Sequence, residues 1–172
     1  MVRKVFSPQF FNRPTLNVAK ELLGTFLVYK KGIETIEAMI TEVEAYVGPK
    51  DKASHASRGR TPRTEVMFGK PGRWYVYLIY GMYFCLNIVT EKENYPAAIL
   101  IRSVEGVKGP GRVCKFFNID KSFNASLARK KTGLWIEDRG VIIKPRSIKR
   151  GTRIGVDYAG RWKDKKWRFF IF

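Results

Sequence analysis

The chain has 172 residues, 45% hydrophobic and 14% aromatic, with 33 Lys and Arg against 15 Asp and Glu and a formal net charge of +18. That size and apolar content suit one packed domain spanning 1–172, and the charge excess points to a polyanionic partner, nucleic acid before an anionic membrane surface. A single histidine and two widely spaced cysteines, Cys85 and Cys114, argue against a zinc cluster or a disulfide framework.

In chain order, "MVRKVFSPQFFNRP" starts basic but lacks the apolar stretch of a secretory leader, so an intracellular protein is expected. "TLNVAKELLG" predicts a short helix capped by Thr15, with Leu16, Ala19 and Leu23 on one face and Gly24 as its stop. "TFLVYK" and "ETIEAMITEVEAYV" follow as β-branched strands. In the second, strict alternation puts Ile36, Ala38, Ile40, Glu42, Glu44 and Tyr46 on one face. Two readings of Glu44 stand: a strand emerging into solvent, or a carboxylate at the mouth of a pocket whose burial prepares it to take a proton from water. Gly48-Pro49 turns the chain, and His55 follows after a polar loop, close in sequence to that carboxylate.

The loop "ASRGRTPRT" offers Arg58, Arg60 and Arg63 with Thr61, a composition suited to phosphate contacts through side chains and backbone amides. "RWYVYLIYGMYFCLNIV" reads as two strands joined at "YGMY", crowded with Tyr75, Tyr77, Tyr80 and Tyr83. Its apolar run falls short of the roughly 20 residues of a membrane-spanning helix. Tyrosines are good strand formers, half-buried with the hydroxyl wet. One beside a turn glycine can also wedge into a base stack while its neighbours line a cavity for a planar base. "AAILIRSVE" is another strand, "GPGRVCKFFNI" a turn and short helix, and "GLWIED", "VIIKPRS" and "WRFFIF" late strands. The tail from Lys144 to Arg168 is basic, with Trp162 and Trp167 interleaved. Long strands with few helices predict an α+β domain built on a curved, mostly antiparallel sheet with short peripheral helices.

The segments "AKELLGTFLV", "TEVEAYVGPKDKASHASRGRTPR", "MFGKPGRWYVYLIYGMYFCLNIV", "AAILIRSVEG", "GPGRVCKFF" and "TRIGVDYAGRWKDKKWRFF" together resemble the alkyladenine (3-methyladenine, N-methylpurine) DNA glycosylase family. They cover nearly the whole chain, and "EAYxGPxDxAxH" with "YGMYFCxN" is a specific signature. The resemblance implies a monomeric, DNA-associated base-excision-repair enzyme without metal or cofactor. It would flip damaged purines of the 3-methyladenine, 7-methylguanine, hypoxanthine or ethenoadenine type from double-stranded DNA and leave an abasic site. By position, Glu44 would be the general base, with Arg102 and the carbonyl of Ile154 holding the water. Tyr46, His55 and Tyr77 would form the base pocket, Asn87 would crowd the amino group of normal guanine, and Tyr80 would replace the flipped nucleotide. Arg60, Thr61 and Arg63 would grip the backbone. Two departures stand out: Thr64 and Glu65 follow "TPR" where Asn is usual, and the chain stops at Phe172 where members commonly continue through a Gly-Pro-Trp-like segment.

Three other readings compete. A non-catalytic basic nucleic-acid-binding protein would explain the charge but not the Glu44, Tyr46 and His55 arrangement. A metal-dependent nuclease would use Glu42, Glu44 and Asp51. A lyase would act through a lysine Schiff base.

Overall fold

The computed structural model describes residues 3–171. Ten strands form one open, mostly antiparallel sheet. They are β1 (Lys4–Val5), β2 (Phe26–Lys31), β3 (Glu34–Val47), β4 (Trp74–Ile79), β5 (Tyr83–Val89), β6 (Ala97–Val104), β7 (Val107–Lys108), β8 (Leu134–Asp138), β9 (Lys149–Gly151) and β10 (Arg168–Phe170). The main order is β1-β8-β2-β3-β6-β5-β4, with β10 beside β3 and β9, and β7 beside β6. Three short helices, α1 (Pro8–Phe11), α2 (Thr15–Leu22) and α3 (Pro110–Phe116), cover one face. The expected α+β architecture with an antiparallel sheet is what the chain forms.

Period-two alternation explains which face packs. Leu27, Leu134, Ile136, Ile99, Ile101, Leu86, Ile88 and Trp74 point to the helices and are fully buried or nearly so. Intervening residues such as Asn87, Ala98 and Leu100 line the opposite side. The helix α2 buries Thr15, Val18, Ala19 and Leu22; of the expected face, Ala19 and Leu23 are in the core and Leu16 packs against it half-buried. Thr15 is not its cap either. Pro14 starts the helix, and both the amide and hydroxyl of Thr15 donate to Glu91 Oε1 at 2.8 and 3.0 Å. This distant acceptor satisfies orphan donors that a local cap would otherwise serve.

The long strand β3 departs from strict alternation. Its first half pairs with β2 and its second with β6, and the β6 register shifts twice between Ile40 and Val43. Such a bulge adds a residue and inverts the phase. Ile40 belongs to the core, but beyond the bulge Val43 and Ala45 take over that role. Glu42, Glu44 and Tyr46 therefore do not continue the face of Ile36, Ala38 and Ile40, as alternation predicts; they occupy the opposite one. The expected strand "VIIKPRS" is also absent. Residues 140–144 are irregular, and Pro145–Ser147 is a 3₁₀ turn. Ile142 is 87% exposed while Ile143 packs half-buried against the core, and Pro145 lacks the amide a ladder needs.

Candidate active site

Glu44 sits where β3 is flanked by β6 on one side and β10 on the other, opposite Leu100 and Arg168. Its side chain has no solvent exposure. Oε1 accepts a hydrogen bond from the Ile154 amide at 2.8 Å, and Oε2 accepts from the Tyr46 hydroxyl at 2.9 Å. Arg102 Nη1 lies 3.4 Å from Oε1. Burial pushes the Glu44 pKa above the usual carboxylate value, opposed by Arg102, the Ile154 amide and Tyr46. A carboxylate in this setting is a stronger base than one in water and retains three groups that stabilise its charge.

Beside it lies a cavity of about 530 Å³, lined by Tyr46, His55, Tyr75, Tyr77, Asn87 and Arg102 among others. That volume falls within the range of small-molecule sites. His55 opens a 3₁₀ turn, His55–Arg58, whose entry is capped by the Ser54 side chain accepting from the Ala56 amide. Its Nδ1 is 3.0 Å from the Tyr75 hydroxyl, and its ring meets Tyr77 edge-on at 4.7 Å. Burial first, then the charges of Arg63 and Arg58, lower its pKa to about 4, so the imidazole is neutral at physiological pH. Tyr46 and Tyr77 have pKa values raised by burial and remain protonated. Asn87 donates to the carbonyls of Tyr75 and Cys85 at 3.1 and 3.4 Å, which fixes its amide against the cavity wall.

Ile154 is placed by a buried strut. Arg153 donates to both carboxylate oxygens of Asp51, to the Ala45 carbonyl and to the Trp162 carbonyl. Its guanidinium also lies 5.0 Å from the centres of the Tyr46 and Trp167 rings. Asp51 in turn accepts from the Val47 and Ala53 amides. The segment carrying Ile154 is thereby clamped to the loop after β3.

A sequence model of the methylpurine-DNA glycosylase family matches residues 9–109 and 103–172. The chain belongs to this family. It is 43% identical to a protein of Methanocella arvoryzae over 96% of this chain and 92% of that one. It is 45% identical to one of Legionella pneumophila strain Lens over 99% and 95%, and 39% identical to one of Clostridium perfringens over 94% and 93%. Each of these relatives is provisionally named a 3-methyladenine DNA glycosylase. The chain is thus a DNA glycosylase, a monofunctional hydrolase of N-glycosyl bonds that acts in base excision repair on DNA.

In this glycosylase, Tyr46, His55, Arg63, Tyr77, Tyr80, Asn87, Arg102 and Ile154 all line the cavity, with Glu44 directly behind Tyr46, Arg102 and Ile154. Ile154 reaches Glu44 through its amide, a contact that the expectation for its carbonyl did not include. Tyr80 stands at the β4–β5 turn, 88% exposed, with φ at +50°. Arg63 lies 5.3 Å from the centre of the Tyr77 ring. Arg60 is outside the cavity: it bonds Glu65 and Asn94 and covers Phe68. Thr61 bonds Thr64 in the same turn through its amide and hydroxyl. Glu65 is therefore a partner of Arg60.

The nuclease alternative loses its ligand set. Asp51 is committed to Arg153, Glu42 accepts from Ser103 and Arg168, and among the described residues no cluster of three acidic, His or Cys side chains is arranged to hold a metal. Among the same residues no helix is long and apolar enough to cross a membrane. Sequence reading overlooked Tyr75 as the partner of His55, and Tyr158, whose hydroxyl donates to the Ala53 carbonyl beside the cavity. The Arg153–Asp51 strut was overlooked too. Asp51 had a visible signal in "GPKD", but nothing local marks Arg153 as its partner 102 residues away.

Proposed function

We propose that this glycosylase extrudes alkylated or deaminated purines from duplex DNA into the tyrosine-lined cavity and cleaves the glycosidic bond with a water activated by Glu44. The observation that supports this most directly is the buried Glu44 carboxylate, held by two hydrogen bonds and the Arg102 charge at the wall of a tyrosine-lined cavity. Extrusion costs a few kcal/mol, least for weakly paired damaged bases. The exposed Tyr80 ring at the hairpin tip fills the gap in the stack and offsets part of that cost.

A purine such as 3-methyladenine or 7-methylguanine carries positive charge in DNA, and the rings of Tyr46 and Tyr77 attract it by cation–π interaction. Positive charge also develops on the sugar as the bond breaks, and ionised Glu44 stabilises it while accepting a proton from water. Arg102 and Ile154 orient the carboxylate and the water. A cationic base leaves neutral and needs no acid. For neutral lesions, the neutral His55 serves as a hydrogen-bond donor through the ring nitrogen that Tyr75 does not occupy, and Arg63 and Thr61 contact the backbone.

Single-turnover release from duplexes carrying 3-methyladenine, hypoxanthine or ethenoadenine tests the assignment, comparing wild type with Glu44→Gln in EDTA. Loss of a general base lowers the rate by about 10²–10⁴-fold while lesion binding persists. Equal release by both proteins would remove Glu44 as the base, and a borohydride-trapped enzyme–DNA adduct would favour a lyase instead.

A further inference from the structure

A second groove lies on the same non-helical side of the sheet, far from the cavity. Counted along β3, Thr35 at this groove is nine residues from Glu44, roughly 30 Å at about 3.3 Å per residue. Arg3, Lys30, Lys130, Lys131, Trp135 and Glu137 line it, and its volume is about 640 Å³. Alternation builds it: Leu27, Tyr29, Leu134 and Ile136 face the core, leaving Lys30, Trp135 and Glu137 on the other side. A 3₁₀ turn, Lys130–Thr132, is tied to β2 by the Lys30 amide donating to the Gly133 carbonyl at 2.8 Å. That bond brings Lys130 and Lys131 beside Lys30.

The only carboxylate among the groove-lining residues is already neutralised. Glu137 accepts from Arg139 and from the Trp135 indole, both at 2.8 Å, with Arg3 at 3.7 Å. None of the ion pairs among the described residues includes Lys30, Lys130 or Lys131. All three line the same groove, and Lys130 Nζ lies 6.0 Å from the centre of the Trp135 ring. Trp135 is only 6% exposed, so no aromatic face is free to stack a base. Point charges without a stacking platform suit phosphates rather than base edges.

We propose that this groove binds the sugar-phosphate backbone of duplex DNA, separately from the excision cavity. The proposal takes its occupant from the family's DNA substrate, and it stands or falls without reference to catalysis. Lysine acetylation of the full chain, read by mass spectrometry with and without an undamaged 30-base-pair duplex, should show Lys30, Lys130 and Lys131 protected by DNA. The triple variant Lys30→Ala, Lys130→Ala, Lys131→Ala should keep wild-type single-turnover base release at saturating enzyme. Its log-affinity against log-salt slope should fall by about 2.7, or about 0.9 per phosphate contact, so its affinity loss from 50 to 200 mM salt is about 40-fold smaller.

Unprotected lysines in the bound complex, or an unchanged slope, would overturn the proposal. Protection by phosphatidylglycerol vesicles but not by DNA would overturn it as well and assign the groove to a membrane surface. If the wild type released no base from any lesion, the excision reading would fail, and the footprint and slope would still decide the groove.

Discussion

The Asp51–Arg153 strut makes a quantitative prediction. Both side chains are fully buried and share two hydrogen bonds, and Asp51 also accepts from the Val47 and Ala53 amides at 3.0 and 3.1 Å. Asp51→Ala leaves a buried guanidinium without its counter-charge and two amides without an acceptor. Removing one partner of such a pair costs about 3–5 kcal/mol, with the orphaned amides pushing towards the upper end. For a protein with a total stability of about 5–15 kcal/mol, that is a large share. It corresponds to a drop in Tm of about 6–20 °C for a chain of this size. Urea unfolding gives the change directly, from the midpoint and slope. The double variant Asp51→Leu, Arg153→Met should recover much of the loss, because it leaves no uncompensated charge. A single-variant cost below about 1 kcal/mol, or a double variant as unstable as Asp51→Ala, would refute the argument that this pair clamps the Ile154 segment.

Four further outcomes follow from the site. His55 should titrate near pH 4 by NMR: its folded pKa lies below 6.5, so it contributes stability present above 6.5 that is lost as pH falls towards 4. His55→Asn should flatten stability across that window, and an imidazole midpoint near 6.5 would contradict the burial argument. Because the Glu44 pKa is raised, the acid limb of base release should lie above 4.5, and the cost of its buried charge should vanish as pH falls through that pKa; Glu44→Gln should therefore be no less stable than wild type at pH 7, and marked destabilisation would count against it. Tyr80→Gly should relieve up to about 1 kcal/mol of left-handed backbone strain while slowing release, and a lower Tm would contradict this. Glu42→Gln should lower kcat about tenfold, about 1.4 kcal/mol in the barrier, with KM little changed, because Glu42 Oε1 lies 3.6 Å from Arg102 Nε; an unchanged kcat would separate Glu42 from the site.

Much of the fold was legible because period-two patterns and turn residues marked the same boundaries. Gly48-Pro49 ends β3, and "YGMY" closes the β4–β5 hairpin. The bulge was not legible. Around "MITEVEAY" both parities carry apolar residues, so Ile40 with Glu42 and Thr41 with Val43 are equally good alternations, and the choice belongs to pairing with β6 and β10. The short strand β9, not "VIIKPRS", fills the position beside β10. Thr15 looked like a cap because its acceptor, Glu91, is 76 residues away. The partners of Arg60 were not legible either, because Glu65 and Asn94 meet it only in the folded loop.

The bulge also explains how the fold tolerates a buried carboxylate. It rotates Glu44 out of the core and into reach of donors from three parts of the chain: Tyr46 on β3, Arg102 on β6 and the Ile154 amide in the segment before the last 3₁₀ turn. A carboxylate offers about four acceptor positions, and only two are occupied by hydrogen bonds below 3 Å. Arg102 supplies charge from 3.4 Å while its Nε, close to Glu42, has no hydrogen-bond partner. Stability alone would favour closing these remaining positions. Leaving them open on a group whose basicity burial has raised is the arrangement expected where a proton must be received.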